Sequence, residues 1–340
     1  MRYNQVTIGE VAEKAGVSPG TVSRTIHNTG YIKQETREKI QQAIEELNYI
    51  PNRAGRTLKT TKTGLIMLAI PDTANAIYVG MIEAMHAVAQ ENEMSLVLYY
   101  TNGTQKGELN AVRMVREHLV DGLFLVNFHY GDELWSAIAG CGAPVVLCGM
   151  CSSIWAKDDA PFSTVSIDVY SGIYAATAKM VERGHKYIAY LGGIKDLPVY
   201  TQRFGAYRAA LDDNGIGFDE DVVFWYDYTK QHGIDAGRKI VRMHRRPTAI
   251  VASNDLQAIG AWTAVREAGL AVPRDVEICG MDNLEEMQML SLPSINMHER
   301  EVGKIGGEMI IEYLKDRGAT HRHVSFVPEL IWRDGDSLLV

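Results

Sequence analysis

The chain of 340 residues is 46% hydrophobic and 22% charged, a composition typical of soluble globular proteins with room for two or three domains. It has no apolar run of membrane-spanning length, no apolar N-terminal signal region and only four cysteines, which argues against secretion and a disulfide framework and favours the reducing cytoplasm. The net charge of −8 hides an asymmetry, because residues 1–62 hold ten Lys/Arg and six Asp/Glu, a balance of +4 that leaves −12 for the remainder. A basic segment joined to an acidic body is a weak indication of a nucleic-acid-binding module.

The first fifty residues carry the pattern of three short helices. Thr7 and Glu10 form a capping box, and apolar residues then recur at helical spacing. Ser18 suits the N-cap of a second helix and Pro19 its first position. A third helix has one apolar stripe made of Ile40, Ala43, Ile44 and Leu47. Two short helices across a tight glycine turn, braced by a third, predict an all-α helix-turn-helix head over residues 1–50.

The rest of the chain is a short bridge followed by a long α/β segment. The bridge, residues 51–62, has four basic residues and no acidic ones. Beyond it, the predicted strands span 64–70, 95–99, 122–126, 144–148, 164–167, 187–191, 248–252, 276–280 and 324–331, with a further apolar run at 222–226. The predicted helices span 78–92, 105–119, 171–183, 201–214, 232–244, 255–268 and 299–317. This alternation predicts an α/β body whose parallel strands are divided between two sheets, covered on both faces by helices.

Head and body also carry short motifs in a fixed order. The head has VTIGEVAEKAGVSPGTVSR at residues 6–24, YIKQETREKIQQAIEELNYIPN at 31–52 and RTL at 56–58. The body has VSID at 165–168, ERGH at 182–185, Arg203 followed by GAY at 205–207, ASND at 252–255 and GMD at 280–282. Together these motifs resemble those of the lactose-repressor (LacI/GalR) family of bacterial transcription regulators over nearly the whole chain. One such motif would be weak, but the combination is highly specific.

The resemblance implies a two-lobed body with the type I fold of periplasmic binding proteins and parallel sheets. The expected domains are a DNA-binding head at 1–50, a hinge helix or linker at 51–62 and an effector-binding and dimerisation domain at 63–340. The chain should cross between the lobes near 168, 291 and 320, so that lobe 1 holds 63–167 and 292–319 and lobe 2 holds 168–291 and 320–340. The implied function is a sequence-specific transcriptional repressor, controlled by a small molecule between the lobes, with no catalytic residues and no cofactor.

By resemblance, the helix that begins at Ser18 lies in the major groove with its first residues facing the base edges. Pro19 and Gly20 occupy positions that carry much of the family's specificity, yet neither has a hydrogen-bonding side chain, and Pro19 is in any case a good helix starter. Arg24, one turn further on, can pair with both acceptors of guanine and is expected to read the sequence instead. The expected DNA contacts in the head are Thr7, Ser18, Pro19, Gly20, Thr21, Ser23, Arg24, Thr25 and Asn28.

The hinge is expected to make a second set of contacts. Leu58 matches a leucine that the family inserts into the minor groove, where it unstacks a base step; packing of Leu58 against the body is the alternative. The other expected contacts are Asn52, Arg53, Arg56 and Lys59, of which the basic ones would neutralise phosphates. Two residues depart from the family. Gly55 replaces an alanine and Lys33 replaces a serine N-cap, each at a cost of about 1 kcal/mol to its helix.

Polar residues follow several predicted strands, where open α/β sheets bind their ligands. Asp72, Asn75 and His129 stand at such positions. The residues that match the family's pocket are Ile77, Tyr78, Asn127, Asp168, Arg203, Tyr228, Asn254 and Asp282. An arginine with carboxylates and amides can bracket adjacent hydroxyls, and Tyr78 or Tyr228 could stack on a sugar ring, so a carbohydrate effector is expected. A purine nucleoside or a phosphorylated sugar would use the same groups, control by a protein co-regulator is a further alternative, and Asp168 and Asn254 could instead cap helices.

Signals for other classes of protein are weak. Cys148 and Cys151 form a CxxC without a second pair, and His321 and His323 lack a further ligand, so no metal is expected. The absence of P-loop, GxGxxG and GxSxG motifs argues against an α/β enzyme, and the missing signal region argues against a solute-uptake protein. Paired heads would match a palindromic operator and the chain shows no C-terminal heptad repeat, so a homodimer is expected rather than a tetramer.

Overall fold

The computed structural model describes residues 6–50, 62–129, 131–149, 162–195 and 198–334. The chain divides into two compact units, Met1–Thr63 and Gly64–Val340, so the division falls at the end of the predicted hinge. The expected hinge contacts all lie outside the described residues and stay predictions, as does the effect of Gly55; they are Asn52, Arg53, Arg56, Leu58 and Lys59.

The head consists of three helices around a small apolar core. They span Ile8–Ala15 (α1), Pro19–Ile26 (α2) and Gln34–Glu46 (α3). α1 has the predicted capping box, since the Thr7 hydroxyl accepts the Glu10 amide proton and the Glu10 carboxylate accepts the Thr7 N–H at 2.7 Å. α1 ends at Gly16, whose φ of 66° suits a left-handed helix cap. The buried core comprises Val11, Ala12, Val22, Ile40 and Ala43, and the predicted helix-turn-helix head is confirmed.

The body contains two six-stranded sheets with helices on both faces. Its strands span Leu65–Ile70 (β1), Ser95–Tyr100 (β2), Gly122–Val126 (β3), Val145–Gly149 (β4), Ser163–Ile167 (β5), Ile188–Gly192 (β6), Val223–Trp225 (β7), Ala249–Ala252 (β8), Glu277–Met281 (β9), Ser294–Asn296 (β10), His323–Phe326 (β11) and Glu329–Ile331 (β12). Its helices span Ile77–Glu91 (α4), Gln105–Arg116 (α5), Asp132–Ala139 (α6), Val169–Glu182 (α7), Pro198–Asp213 (α8), Lys230–Val241 (α9), Asp255–Glu267 (α10), Glu285–Met289 (α11) and Glu299–Lys315 (α12). Strands β3, β4 and β6 are buried at every residue, as expected for parallel strands covered on both faces. No helix in the described ranges is long and apolar enough to cross a membrane.

The two sheets define two lobes that the chain visits alternately. The strand order is β11-β5-β4-β3-β1-β2 in lobe 1 and β12-β10-β9-β8-β6-β7 in lobe 2. Among the described strands every pair is parallel except β10 with β12. The chain therefore crosses from lobe 1 to lobe 2 after β5, back after β10, and to lobe 2 again after β11. The predicted α/β class, with mostly parallel sheets in two lobes, is confirmed.

Two of the three expected crossings lie elsewhere along the chain. The second falls between Asn296 and Glu299 instead of near 291, because β10 pairs with β9 in lobe 2. The third falls at 327–328 instead of near 320, because β11 pairs with β5 in lobe 1. The predicted strand at 324–331 is thus two strands in different sheets, separated by Pro328, which has no N–H for a sheet ladder. The sequence analysis does not predict β10, α6 or α11. Of these, β10 and α11 are only three and five residues long, too short to show a repeat of apolar residues.

Candidate functional sites

The start of helix α2 is small and exposed. The Ser18 hydroxyl caps the helix, accepting the Thr21 amide proton at 3.2 Å and lying 2.9 Å from the Thr21 hydroxyl. Pro19 and Gly20 follow, both exposed. Only the Ser18 hydroxyl, at 3.8 Å, lies near the point where a side chain on Gly20 would begin. At Pro19 and Gly20 the helix therefore exposes backbone, with no side chain that could form hydrogen bonds with base edges.

Arg24 extends back along the helix towards Pro19 and Gly20. Its Nε group lies 3.4 Å from the Gly20 carbonyl oxygen and its Nη2 group 3.4 Å from the Thr21 hydroxyl. Both distances are long for hydrogen bonds, so the contacts are weak. Because the side chain is also exposed, its guanidinium can turn towards a base edge at little cost. Base reading by Arg24 stays a prediction.

Three other expected contacts in the head already have partners. The Thr25 hydroxyl donates to the Thr21 carbonyl at 3.0 Å and the residue is only 7% exposed, which argues against the expected DNA contact. Its side chain stabilises the head from inside. The side-chain oxygen of Asn28 accepts a hydrogen bond from Arg37 at 2.5 Å, and the Thr7 hydroxyl is used in the capping box. Ser23 is half-buried.

The body contains a cavity of about 520 Å³ at the carboxyl ends of strands from both sheets. The predicted residues that line it are Asp72, Asn75, Ile77, Tyr78, Arg203, Tyr228, Asn254 and Asp282. Lining residues that the sequence reasoning missed include Asn102, Phe128, Ile194, Asp227, Lys230 and Leu256. The cavity combines apolar walls with a few charged and amide groups, which is the usual make-up of a small-molecule site.

A buried arginine and a buried aspartate line this cavity. Arg203, on α8, is 4% exposed, and its Nη1 group donates to the Ser253 carbonyl at 3.0 Å. Asp282, directly after β9, is also 4% exposed and accepts a hydrogen bond from Nδ2 of Asn75 at 2.9 Å. This bond joins the lobes, since Asn75 lies in lobe 1. Burial, together with the nearby carboxylate of Asp255, raises the pKa of Asp282 well above its ordinary value, so a neutral carboxyl group is favoured there.

Both predicted tyrosines offer less ring surface to a ligand than expected. The guanidinium of Arg203 lies over the Tyr228 ring, 5.4 Å from its centroid. A Cβ atom on Gly193 would lie 2.1 Å from Cζ of Tyr228, so glycine is required for the loop to pass the hydroxyl end of this ring. Tyr78 is 6% exposed and packs in the apolar core. Stacking of a sugar on Tyr78 or Tyr228 is therefore not supported.

Asn254 and Gln257 organise the lobe 2 wall. Asn254 is the N-cap of α10, accepting the Gln257 amide proton at 2.9 Å, and its Nδ2 group donates to the Tyr228 carbonyl at 2.9 Å. The buried Nε2 group of Gln257 donates to the carbonyls of Gly192 and Asp227, both at 2.8 Å. The capping alternative for Asn254 is thus realised, although the residue also lines the cavity. Gln257 was missed because an isolated glutamine inside a helix gives no signal in a sequence.

Three predicted effector residues do not line the cavity. Asn127 is fully buried and donates to the His129 carbonyl at 3.2 Å. His129 lies with Nδ1 3.1 Å from Oε1 of Glu108. Asp168 caps α7, accepting the Ser171 amide proton at 3.2 Å and its hydroxyl at 2.5 Å. All three follow strands as predicted, but their side chains turn away into local hydrogen bonds, a choice that the position alone does not reveal.

The described cysteines belong to the packed interior. Cys141, Cys148 and Cys279 are buried, and burial raises the pKa of the Cys148 thiol to about 12. The second cysteine of the CxxC, Cys151, lies outside the described residues. Within the described ranges no three His, Cys, Asp or Glu side chains are grouped to hold a metal ion.

Comparison with known proteins gives the same division of the chain. Residues 7–52 match the family model for bacterial regulatory proteins of the lacI family, and residues 177–335 match a periplasmic binding protein-like domain. The chain is 30% identical to the HTH-type transcriptional repressor PurR of Vibrio atlanticus (strain LGP32), over 96% of this chain and 97% of that protein. It is 30% identical to catabolite control protein A of Priestia megaterium, over 91% and 92% of the two chains.

Solved structures support the fold. A lac repressor dimer bound to operator and the anti-inducer ONPF superposes with a TM-score of 0.82 at 24% identity, over 98% of this chain and 99% of that one. The transcriptional regulator CelR in complex with cellobiose gives a TM-score of 0.69 at 26% identity, over 98% and 100%. The head and the body each match a family model, and a repressor that is 30% identical aligns with 96% of the chain. These findings lead to one conclusion. The chain belongs to the LacI family of bacterial regulatory proteins and is a DNA-binding transcriptional repressor, not an enzyme.

Proposed function

We propose that this repressor is controlled by a carbohydrate that binds in the cavity between its lobes and alters its affinity for a palindromic operator. The observation that carries the proposal is the pairing of buried Arg203 and buried Asp282 on the wall of one cavity that both lobes line. A ligand bonded to both groups would compete for the Asn75–Asp282 hydrogen bond that joins the lobes. Binding would then change the relative energy of lobe arrangements.

The groups around the cavity suit a polyhydroxylated ring. A guanidinium only donates hydrogen bonds, a carboxylate accepts them, and a neutral carboxyl or an amide does both. Hydroxyl groups can satisfy each of these partners. The apolar side chains of Ile77, Ile194 and Leu256 supply surface for the C–H groups of such a ring.

A purine or purine nucleoside is the second candidate effector. It is favoured by the similarity to repressors named PurR, to which the chain is 30% identical in one species. The limited exposure of the aromatic residues around the cavity argues against a purine. A planar base is commonly held between two aromatic faces. Of the three aromatic lining residues that the structure describes, Tyr78 is buried and Tyr228 has Arg203 over one face, which leaves Phe128 as the third.

The DNA-binding half of the proposal is a homodimer that places two copies of α2 on a two-fold operator. One helix of eight residues, Pro19–Ile26, makes few contacts by itself. Two-fold symmetric heads double these contacts and match a palindromic site. The basic residues of the head and hinge would supply the phosphate contacts that make affinity fall with salt.

A ligand screen followed by an operator assay tests the proposal. Thermal unfolding of the full-length protein would be followed with named sugars, sugar phosphates, purine bases and nucleosides, since a ligand at 100 times its Kd stabilises by about 2.7 kcal/mol. Operators would be selected from random duplexes, and binding measured with and without each hit. We expect a sugar to stabilise the protein and to change operator affinity, with both effects lost in Arg203→Ala. A purine hit favours the second candidate, and no hit in any class contradicts control by these small molecules.

A further inference from the structure

Phe128 is a half-buried aromatic side chain on the cavity wall, two residues after the end of β3 in lobe 1. Among the described residues no other aromatic ring stacks on it, whereas Tyr228 lies under the Arg203 guanidinium. Ile194, which is 50% exposed, lines the same cavity from lobe 2. Phe128 packs against the apolar core and also brings aromatic surface to the cavity, in which Tyr78 is buried and Arg203 lies over one face of Tyr228.

The backbone of Phe128 is held by a buried carboxylate. Oε1 of Glu108, on α5, accepts the Phe128 amide proton at 2.9 Å and lies 3.1 Å from Nδ1 of His129. The Glu108 side chain is 0% exposed. Asn127 closes the same loop by donating from Nδ2 to the His129 carbonyl. The three loop residues are thus tied to α5 and to each other.

Holding a loop with a buried carboxylate costs free energy. Removing the Glu108 side chain from water disfavours its charged form, and burial raises its pKa. An apolar residue would fill the same space without this cost. The bond to the Phe128 amide has a use that packing lacks, because it fixes the position of the residue that carries the ring. Binding sites gain affinity when such side chains are held in place before the ligand arrives.

We propose that Phe128 is the stacking platform for one face of a sugar ring in this cavity, and that Glu108 is the residue that positions it. The inference rests on the proposed carbohydrate effector and deepens it by naming the surface that receives the apolar face of the ring. Arg203, Asp282 and Asn75 would then bond the hydroxyl groups at its edge. A ring with one apolar face and a polar edge matches both sets of groups.

Calorimetric titration of the full-length protein tests the platform. The probes are glucose, ribose, maltose and cellobiose, each titrated separately. Phe128→Leu keeps apolar volume but removes the aromatic face, and we expect it to weaken the sugar that binds wild type by about tenfold. Phe218→Leu, a half-buried phenylalanine away from the cavity, is the matched control and should leave affinity unchanged. Thermal unfolding without sugar verifies that each variant is folded.

The role of Glu108 is tested by rescue and by a double-mutant cycle. Glu108→Met fills the same space without an acceptor and should weaken the sugar, whereas Glu108→Gln keeps an acceptor for the Phe128 amide and should restore most of the affinity. In Glu108→Met combined with Phe128→Leu, the losses should not add, because Glu108 acts through the ring.

The results of these titrations distinguish the stacking role of Phe128 from the proposal that the effector is a carbohydrate. If a sugar binds wild type and Phe128→Leu equally well, the platform is wrong while the proposed function stands. Additive losses in the double variant would overturn the positioning role of Glu108 alone. If none of the four sugars binds wild type while a purine does, both the carbohydrate effector and this inference fail.

Discussion

At the scale of single residues, the side chains expected to read DNA in the head are an unusual set. Pro19 and Gly20 begin α2, and Arg24 extends back towards them, with its Nε group 3.4 Å from the Gly20 carbonyl oxygen. An arginine held only by long contacts can pair with both guanine acceptors in the major groove. We propose that Arg24, one turn later, compensates for the loss of reading groups at the start of the helix.

Replacing Arg24 with alanine should weaken sequence preference. We expect Arg24→Ala to lose about 1–3 kcal/mol of preference for the selected operator over random DNA. Lys59→Ala, a change at an expected phosphate contact, should instead weaken all DNA alike and reduce the salt dependence. Competition binding at two salt concentrations measures both. An equal loss on every sequence for Arg24→Ala would show that Arg24 contacts the backbone.

At the scale of secondary-structure elements, the caps explain where the head helices begin. Thr7 and Ser18 accept amide protons at the starts of α1 and α2, at 3.3 and 3.2 Å. α3 lacks such a bond, because its N-cap residue is Lys33. This confirms the missing cap expected from the sequence and leaves the start of α3 less stable than those of α1 and α2.

A serine at this position should stabilise α3. Lys33 is exposed, so Lys33→Ser adds a cap without disturbing packing and should raise the free energy of local opening by about 1 kcal/mol. Amide hydrogen exchange of α3 in the full-length chain measures this directly. Gln41→Ser in the middle of the same helix is the control and should lower stability slightly, since serine is a poorer helix former. Equal effects at the two positions would contradict the capping argument.

At the scale of the whole molecule, buried carboxyl groups lie where the chain passes between the lobes. Asp255 begins α10 and accepts hydrogen bonds from the Ser294 hydroxyl at 2.6 Å and the Leu284 amide at 2.7 Å. It thereby ties α10 to the segment around β10 that precedes the second crossing. Burial raises the pKa of Asp255 to about 7, although its two hydrogen bonds oppose the shift.

The raised pKa predicts a loss of stability with rising pH. The native state binds this proton more tightly than the unfolded state, so the contribution is complete below about pH 4 and is lost as the pH rises to about 7. Its size is on the order of a few kcal/mol. Between pH 5 and 7.5 the melting temperature of wild type should therefore fall more steeply than that of Asp255→Asn. Asp212→Asn, at an exposed carboxylate, is the control and should keep the wild-type slope; a wild-type slope in Asp255→Asn would contradict the argument.

The sequence by itself determined the local features and the class of the molecule. Caps at Thr7 and Ser18, the apolar stripe of α3 and the alternation of strands and helices depend on residues close together in the chain, so periodicity and hydrogen-bonding capacity reveal them. The same holds for residues placed after strands, such as Asn75 and Asp282, because the carboxyl ends of parallel strands meet at one edge.

Only the tertiary structure decided which way those side chains turn and where short segments pair. The side chains of His129 and Asp168 contact neighbouring residues and do not line the cavity. Arg203 lies over the Tyr228 ring. Phe128 lines the cavity wall, although its place between two polar residues does not predict this. The segments β10 and β11 belong to the opposite lobes from those expected, because their pairing depends on strands distant in the chain. The orientation of a side chain and the pairing of a strand depend on whether local hydrogen bonds or contacts with distant residues are more favourable. The sequence does not contain the distances between residues that decide this.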